Sequence, residues 1–160
     1  VGTIGRNVAV QLAAIGINNV VLIDFDEVGE ENIANQGYFH SQVGMQKVDA
    51  TKQVMLHHNP NAKIIAINDK FRPEYVDGIN VIFVAVDSID VRKQIFESLQ
   101  DYKLLVDGRM GAESFLVFSV TPDRSQEYKE TIFPKSQAQV GACGQQSTIY
   151  TCLLYTSDAA

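Results

Sequence analysis

Four short, mostly apolar runs rich in branched residues recur along the chain, at positions 20–23, 62–67, 81–86 and 104–106, and segments of helical period separate the first from the second and the third from the fourth. The third run, Val81-Ile82-Phe83-Val84-Ala85-Val86, has no polar position. That pattern suits a strand covered on both faces better than one with a side open to water. Residues 5–15 read as a helix with Val8, Leu12 and Ile15 on one stripe, ended by Gly16. Residues 43–58 read as a second helix, with Val48, Thr51 and Met55 on one face and Asn59-Pro60 as its stop. Asp87-Ser88 can cap a third over 89–99. A further strand is expected over 115–120, and 121–144 shows no clear period. Strands alternating with helices make an α/β fold: a mostly parallel sheet with helices on both faces and right-handed crossovers. In such folds ligands sit beyond the carboxyl ends of the strands. Gly2 and Gly5, Asp24 and Asp26, Asp87, and Asp107 are therefore the positions to test.

Composition narrows the function classes. Thirteen basic against nineteen acidic residues leave a formal charge of −6. With no Lys/Arg block, a protein that tracks nucleic-acid phosphates is not expected. No apolar run approaches the roughly 18 residues of a membrane span. The two cysteines, Cys143 and Cys152, make no disulfide framework, so a reducing, cytoplasmic setting is expected. The chain opens directly in Val1-Gly2-Thr3-Ile4-Gly5, a glycine turn without the strand that normally precedes one. It is read as a partial domain over 1–151, its first strand missing and both ends cut. Residues 152–160 are set aside as a foreign tail.

Gly2-Thr3-Ile4-Gly5 matches the last two glycines of a G-x-G-x-x-G turn, where backbone amides and a helix N-terminus meet phosphate. Asp24 follows Gly5 by 19 residues, near the end of the next strand, where a carboxylate can accept both ribose hydroxyls. These residues point to an adenine nucleotide without separating NAD from ATP, and two turn glycines with a hydrated aspartate are the bland alternative. Four more features bear on that choice. Asp26 is a second acid. Asn32-Ile33-Ala34-Asn35-Gln36 places amides in a loop. Lys47 lies near a helix start, and Asp87 precedes Arg92 by five residues. Hydride transfer needs neither Lys47 nor Asp87 in those places. Attack on an α-phosphate needs a cation for the growing phosphoryl charge and a carboxylate for Mg²⁺. Taken singly, Lys47 reads as a surface charge and Asp87 as a helix cap.

Together the motifs Gly2-Thr-Ile-Gly5, Leu22-Ile-Asp24-Phe-Asp26-x-Val28, Asn32-x-x-x-Gln36, Gly44-x-x-Lys47, Asn59-Pro60 and Asp87-Ser-x-x-x-Arg92 resemble the nucleotide-binding core of the ThiF/MoeB/ubiquitin-activating-enzyme superfamily of adenylyltransferases. The resemblance runs from Gly2 to about Tyr150. It implies a Rossmann-like fold and ATP-dependent activation of a C-terminal carboxylate as an acyl-adenylate. The substrate it implies is a ubiquitin-like or sulfur-carrier protein ending in Gly-Gly. By similarity, Gly2 and Gly5 line the phosphates, Asp24 holds the ribose and Asn32 contacts ATP. Lys47 stabilises the α-phosphate charge and Asp87 holds Mg²⁺. Gln36 supports its loop, and Arg92 braces the strand-end loop through a carboxylate. A homodimer is implied by analogy.

The chain also departs from the family. Where the family has a phosphate-contacting arginine before the loop glutamine, this chain has Asn35, and Arg6 is the candidate substitute, a solvent-facing helix arginine being the alternative. No Cys-x-x-Cys pairs are present, so structural zinc is not supported. Cys143 resembles a cysteine that could take the acyl group as a thioester, with a buried inert thiol as the alternative. A catalytically silent scaffold subunit of an activating heterodimer and an NAD-dependent oxidoreductase are the rival readings.

Overall fold

A computed structural model describes residues 1–111 and 114–132. The chain divides into two compact units, Val1–Phe71 and Arg72–Ala160.

The first unit runs α1 (Thr3–Ala14), β1 (Asn19–Ile23), α2 (Glu31–Gln36), a 3₁₀ turn (His40–Gln42), α3 (Lys47–His58) and β2 (Lys63–Ile67). β1 and β2 pair in parallel, with Val21 opposite Ile65. The helical crossover between them is what parallel pairing requires. α1 and α3 supply Ala9, Ala13, Val48 and Met55 to a core that Leu22 and Ile64 complete from the strands. The expected face of α3 is the buried one: Val48, Thr51 and Met55 are wholly covered. Asn59 closes that helix as expected, and Gly16, at φ +90°, turns the chain out of α1.

α1 corrects the stripe read from its large apolar residues. Its buried positions are Thr3, Arg6, Ala9 and Ala13, while Ile15 is 75% exposed. The helices approach closely where α1 presents alanine, so the small residues set the packing face. Residues 32–36 are a short helix rather than a loop. It ends on Gly37, at φ +72°, a left-handed conformation that glycine adopts without a Cβ penalty.

The second unit contains a 3₁₀ turn (Pro73–Val76), β3 (Val81–Val84), α4 (Ile89–Ser98), β4 (Leu104–Gly111), β5 (Ser114–Val120), a 3₁₀ turn (Pro122–Arg124) and α5 (Ser125–Glu130). β3 pairs with β4 in parallel. β5 folds back antiparallel on β4, with Asp107 opposite Phe118. Ile82, Val84, Ile95, Phe96, Leu105, Val120 and Tyr128 are buried here. Phe96 and Phe118 meet the Tyr128 ring edge-on, at centroid distances of 4.7 and 6.2 Å. Ser88 caps α4 by accepting from the Val91 amide at 3.4 Å. β4 is longer than its apolar run, so Asp107 lies inside the strand rather than after it.

Each unit joins parallel strands through a helical crossover, and the fold is mixed α/β and Rossmann-like, as expected. Among the described residues no helix is long and apolar enough to cross a membrane.

Candidate functional site

The loop after β1 is stitched to the start of α3. Val28 donates its amide to the Met45 carbonyl at 2.8 Å, and Lys47 donates its amide to the Asp26 carbonyl at 2.9 Å. The Gln46 amide side chain donates to Glu27 Oε1 at 3.0 Å. This backbone pairing sets the Lys47 ammonium against the same loop, with Nζ 2.9 Å from Asp26 Oδ2. Lys47 is only 7% exposed, so it is not the surface charge that its position alone suggests. The Asp26 side chain stays 48% exposed.

Asp24 stands one residue beyond β1. Its Oδ1 accepts the Asp26 amide at 2.9 Å, and its Oδ2 lies against the backbone nitrogen of Val1. The loop acids thus divide: Asp24 faces the glycine turn and Asp26 faces Lys47.

Gly2 is the N-cap of α1 and offers no side-chain cap to the first amides of the helix. The Gln36 amide group approaches it closely: a Cβ on Gly2 would sit 4.0 Å from both Gln36 Nε2 and Oε1. Thr3 Oγ1 donates to the Asn35 carbonyl at 3.1 Å, which ties the end of α2 to the start of α1. Asn32 is buried, with Oδ1 accepting the Gly29 amide at 2.9 Å. Arg6 is buried as well, which excludes a solvent-facing role. Its Cζ lies 4.7 Å from the Tyr38 ring centroid and 6.0 Å from that of Phe39. Burial lowers its pKa, and the nearby Tyr38 opposes that shift. The first unit therefore gathers Gly2, Arg6, Asn35 and Gln36 at one end of α1, and pairs Asp26, after β1, with Lys47 at the start of α3.

Asp87 belongs to the second unit. It is exposed, in the short turn between β3 and α4. Arg92 anchors that turn, donating to the Val86 carbonyl and ion-pairing with Asp107. The sequence singled out Arg92 as such a brace, and the structure supplies its carboxylate. Sequence reasoning missed the rest of this cluster. Arg109 Nε reaches Asp107 Oδ2 at 2.8 Å, Tyr128 Oη donates to the same oxygen at 2.7 Å, and Arg109 Nη1 donates to the Thr131 carbonyl at 2.7 Å. The available signal was Asp107-Gly-Arg109: an acid and a base two apart on a strand share a face. Burial, together with the charge of Arg109, lowers the Arg92 pKa to about 10, against the opposing pull of Tyr128 and Asp87. Arg92 still carries its charge at neutral pH.

Among the described residues no three His, Cys, Asp or Glu side chains group as a metal site. Asp87 still fits Mg²⁺ chemically, since that ion takes one or two carboxylates and completes its shell with water and substrate phosphate. Cys143 and the 152–160 tail lie outside the described residues.

Comparison with known proteins bears on this arrangement. The chain is 29% identical over 110 residues to ubiquitin-like modifier-activating enzyme 5 of Caenorhabditis elegans, covering 59% of this chain and 26% of that protein. It is 28% identical over 113 residues to molybdopterin-synthase adenylyltransferase of Haemophilus influenzae, covering 67% and 46% respectively. The chain thus spans less than half the length of either relative. The crystal structure of PaaA superposes with a TM-score of 0.69 at 22% identity, covering 99% of this chain and 60% of that one. Escherichia coli MccB with ATP gives 0.66 at 18% identity, covering 99% and 52%. These two likenesses speak for the fold. The ThiF family profile matches residues 1–157, nearly the entire sequence, and the chain belongs to the ThiF family.

Proposed function

We propose that this chain is the nucleotide-binding part of an ATP-dependent adenylyltransferase that activates the C-terminal carboxylate of a ubiquitin-like or sulfur-carrier protein ending in Gly-Gly. The observation that carries the reading is Lys47: a buried ammonium is costly unless it serves a charge. Here it sits at the start of a helix, held by a half-exposed carboxylate. Family membership and the uncapped glycine turn support the same reading.

In this reading the acceptor carboxylate oxygen attacks the α-phosphorus of ATP. A new P–O bond forms, the bond to the α–β bridging oxygen breaks, and pyrophosphate leaves with that electron pair. Gly2, Gly5 and the first amides of α1 receive phosphate oxygens, Asp24 accepts from the ribose hydroxyls, and Asn32 contacts the nucleotide. Lys47 offsets the charge that grows on the α-phosphoryl oxygens. Asp87 would hold Mg²⁺, which when bound screens the pyrophosphate leaving group. Arg92 keeps the Asp87 turn in place. A homodimer and a cytoplasmic setting go with this reading, and Cys143 is the residue to test for a later thioester.

The test is ATP–pyrophosphate exchange dependent on the carrier protein, measured on the product of the full gene. Lys47→Ala and Asp87→Ala should each lower the rate by about 10²–10³-fold, the scale of losing one transition-state charge partner. Asn35 at the arginine position favours a second reading, a silent scaffold subunit; carrier binding without exchange would establish it. Binding of NAD in preference to ATP would overturn both.

A further inference from the structure

We propose that Arg6 forms, with the N-terminus of α1, an anion site that grips a phosphate oxygen of the bound nucleotide. The inference rests on nucleotide binding at the glycine turn and is independent of which carrier protein is activated.

Arg6 exposes only 6% of its surface, yet its Nε and Nη2 atoms have no hydrogen-bond partner among the described residues. Buried charges are normally paired, and a guanidinium with two idle donors is an expensive exception. Among the described residues no carboxylate pairs with it. It is instead flanked by the Tyr38 and Phe39 rings, which hold its plane without using its N–H groups.

Position supplies the direction. Helical side chains lean toward the N-terminus of their own helix, so Arg6 leans toward Gly2. The 36–37 segment confirms where it ends: Gln36 abuts Gly2, and a Cβ on the next residue, Gly37, would lie 3.4 Å from Arg6 Nη1. The first turn of α1 contains no acid, and Gly2 gives it no side-chain cap. Uncapped amides at a helix start already favour an anion. A forked cation beside them adds charge and bidentate geometry suited to a phosphate. The cation that this chain lacks at Asn35 is thereby supplied from the helix.

The experiment compares ATP and adenosine binding by calorimetry on the full-length protein, for wild type, Arg6→Gln, Arg6→Lys and the double variant Arg6→Gln/Asn35→Arg. Arg6→Gln should weaken ATP about 10- to 100-fold, as expected for lost charge-assisted hydrogen bonds, and leave adenosine within about twofold. Arg6→Lys should fall between, and Asn35→Arg should restore part of the loss. If Arg6→Gln does not fold, the ATP-to-adenosine ratio of Arg6→Lys decides, with a fall of at least about threefold expected. An unchanged ratio, or equal weakening of both ligands, means that Arg6 only supports the fold and overturns the proposal. A wild-type protein that binds no ATP overturns the adenylyltransferase reading and this one together. ATP binding by wild type with an unaltered variant overturns this one alone.

Discussion

Lys47 Nζ sits 2.9 Å from Asp26 Oδ2, and the two residues also share a backbone hydrogen bond, from the Lys47 amide to the Asp26 carbonyl. One loop therefore fixes both the start of α3 and the direction of its lysine. Asp26→Asn should leave the ammonium in place but free to swing. We expect pyrophosphate exchange to fall about 10- to 100-fold, the scale of a 1 Å misplacement, with ATP binding changed much less. Steady-state kinetics with separate kcat and KM would check this; a variant with wild-type kcat would rule out a positioning role for Asp26.

Asp107 is fully buried between two arginines and a tyrosine. Asp107→Asn removes the anion and leaves two guanidinium groups facing each other. Breaking a buried pair in this way should cost about 3–5 kcal/mol, read by urea denaturation. Because Arg92 also holds the Val86 carbonyl next to Asp87, exchange should weaken even where the fold survives.

Gly37 ends α2 at φ +72°. Gly37→Ala should cost about 1 kcal/mol for placing an L-residue in that region. Its Cβ would sit 3.4 Å from Arg6 Nη1, so a small shift of the guanidinium should lower ATP affinity further than a loss of stability alone explains. Thermal melts with and without ATP separate the two effects.

Above pH about 10 the support that two buried phenols give the fold should be lost. Burial raises the pKa of Tyr38 and of Tyr128, against the opposing pull of neighbouring groups, among them Arg6 for Tyr38 and Arg92 and Arg109 for Tyr128. A phenol whose folded pKa exceeds the unfolded value of 10.0 keeps its proton longer in the folded state. Its stabilising effect is full below pH about 10 and is lost as pH rises through the folded pKa. Arg92, lowered to about 10, works in the opposite sense: it costs stability below that pH and releases the cost as pH rises above it. Phenylalanine substitution separates the phenol contribution from that of Arg92. Tyrosinate absorbance followed together with circular dichroism should show late ionisation coinciding with unfolding, and Tyr38→Phe and Tyr128→Phe should each flatten the loss.

Strand positions and helix ends were legible because they depend on local chemistry. Runs of Val and Ile marked β1 and β3, Gly16 and Asn59-Pro60 marked helix ends, and Ser88 marked a cap. The stripe on α1 was misread because hydrophobic weight points to Ile15, whereas close helix packing selects Ala9 and Ala13. The helical form of 31–36 was hidden because six residues carry too little period to show one.

By itself the sequence determined the α/β alternation, the ThiF family motifs and their order, since each is written in residue type and spacing. Only the tertiary structure decided that Lys47 meets Asp26, that Arg6 is buried with two N–H donors unpaired among the described residues, and that Asp107 gathers Arg92, Arg109 and Tyr128. Those outcomes join residues far apart in the chain, and a charge is costly or cheap according to the water and counter-charges that the folded chain leaves around it.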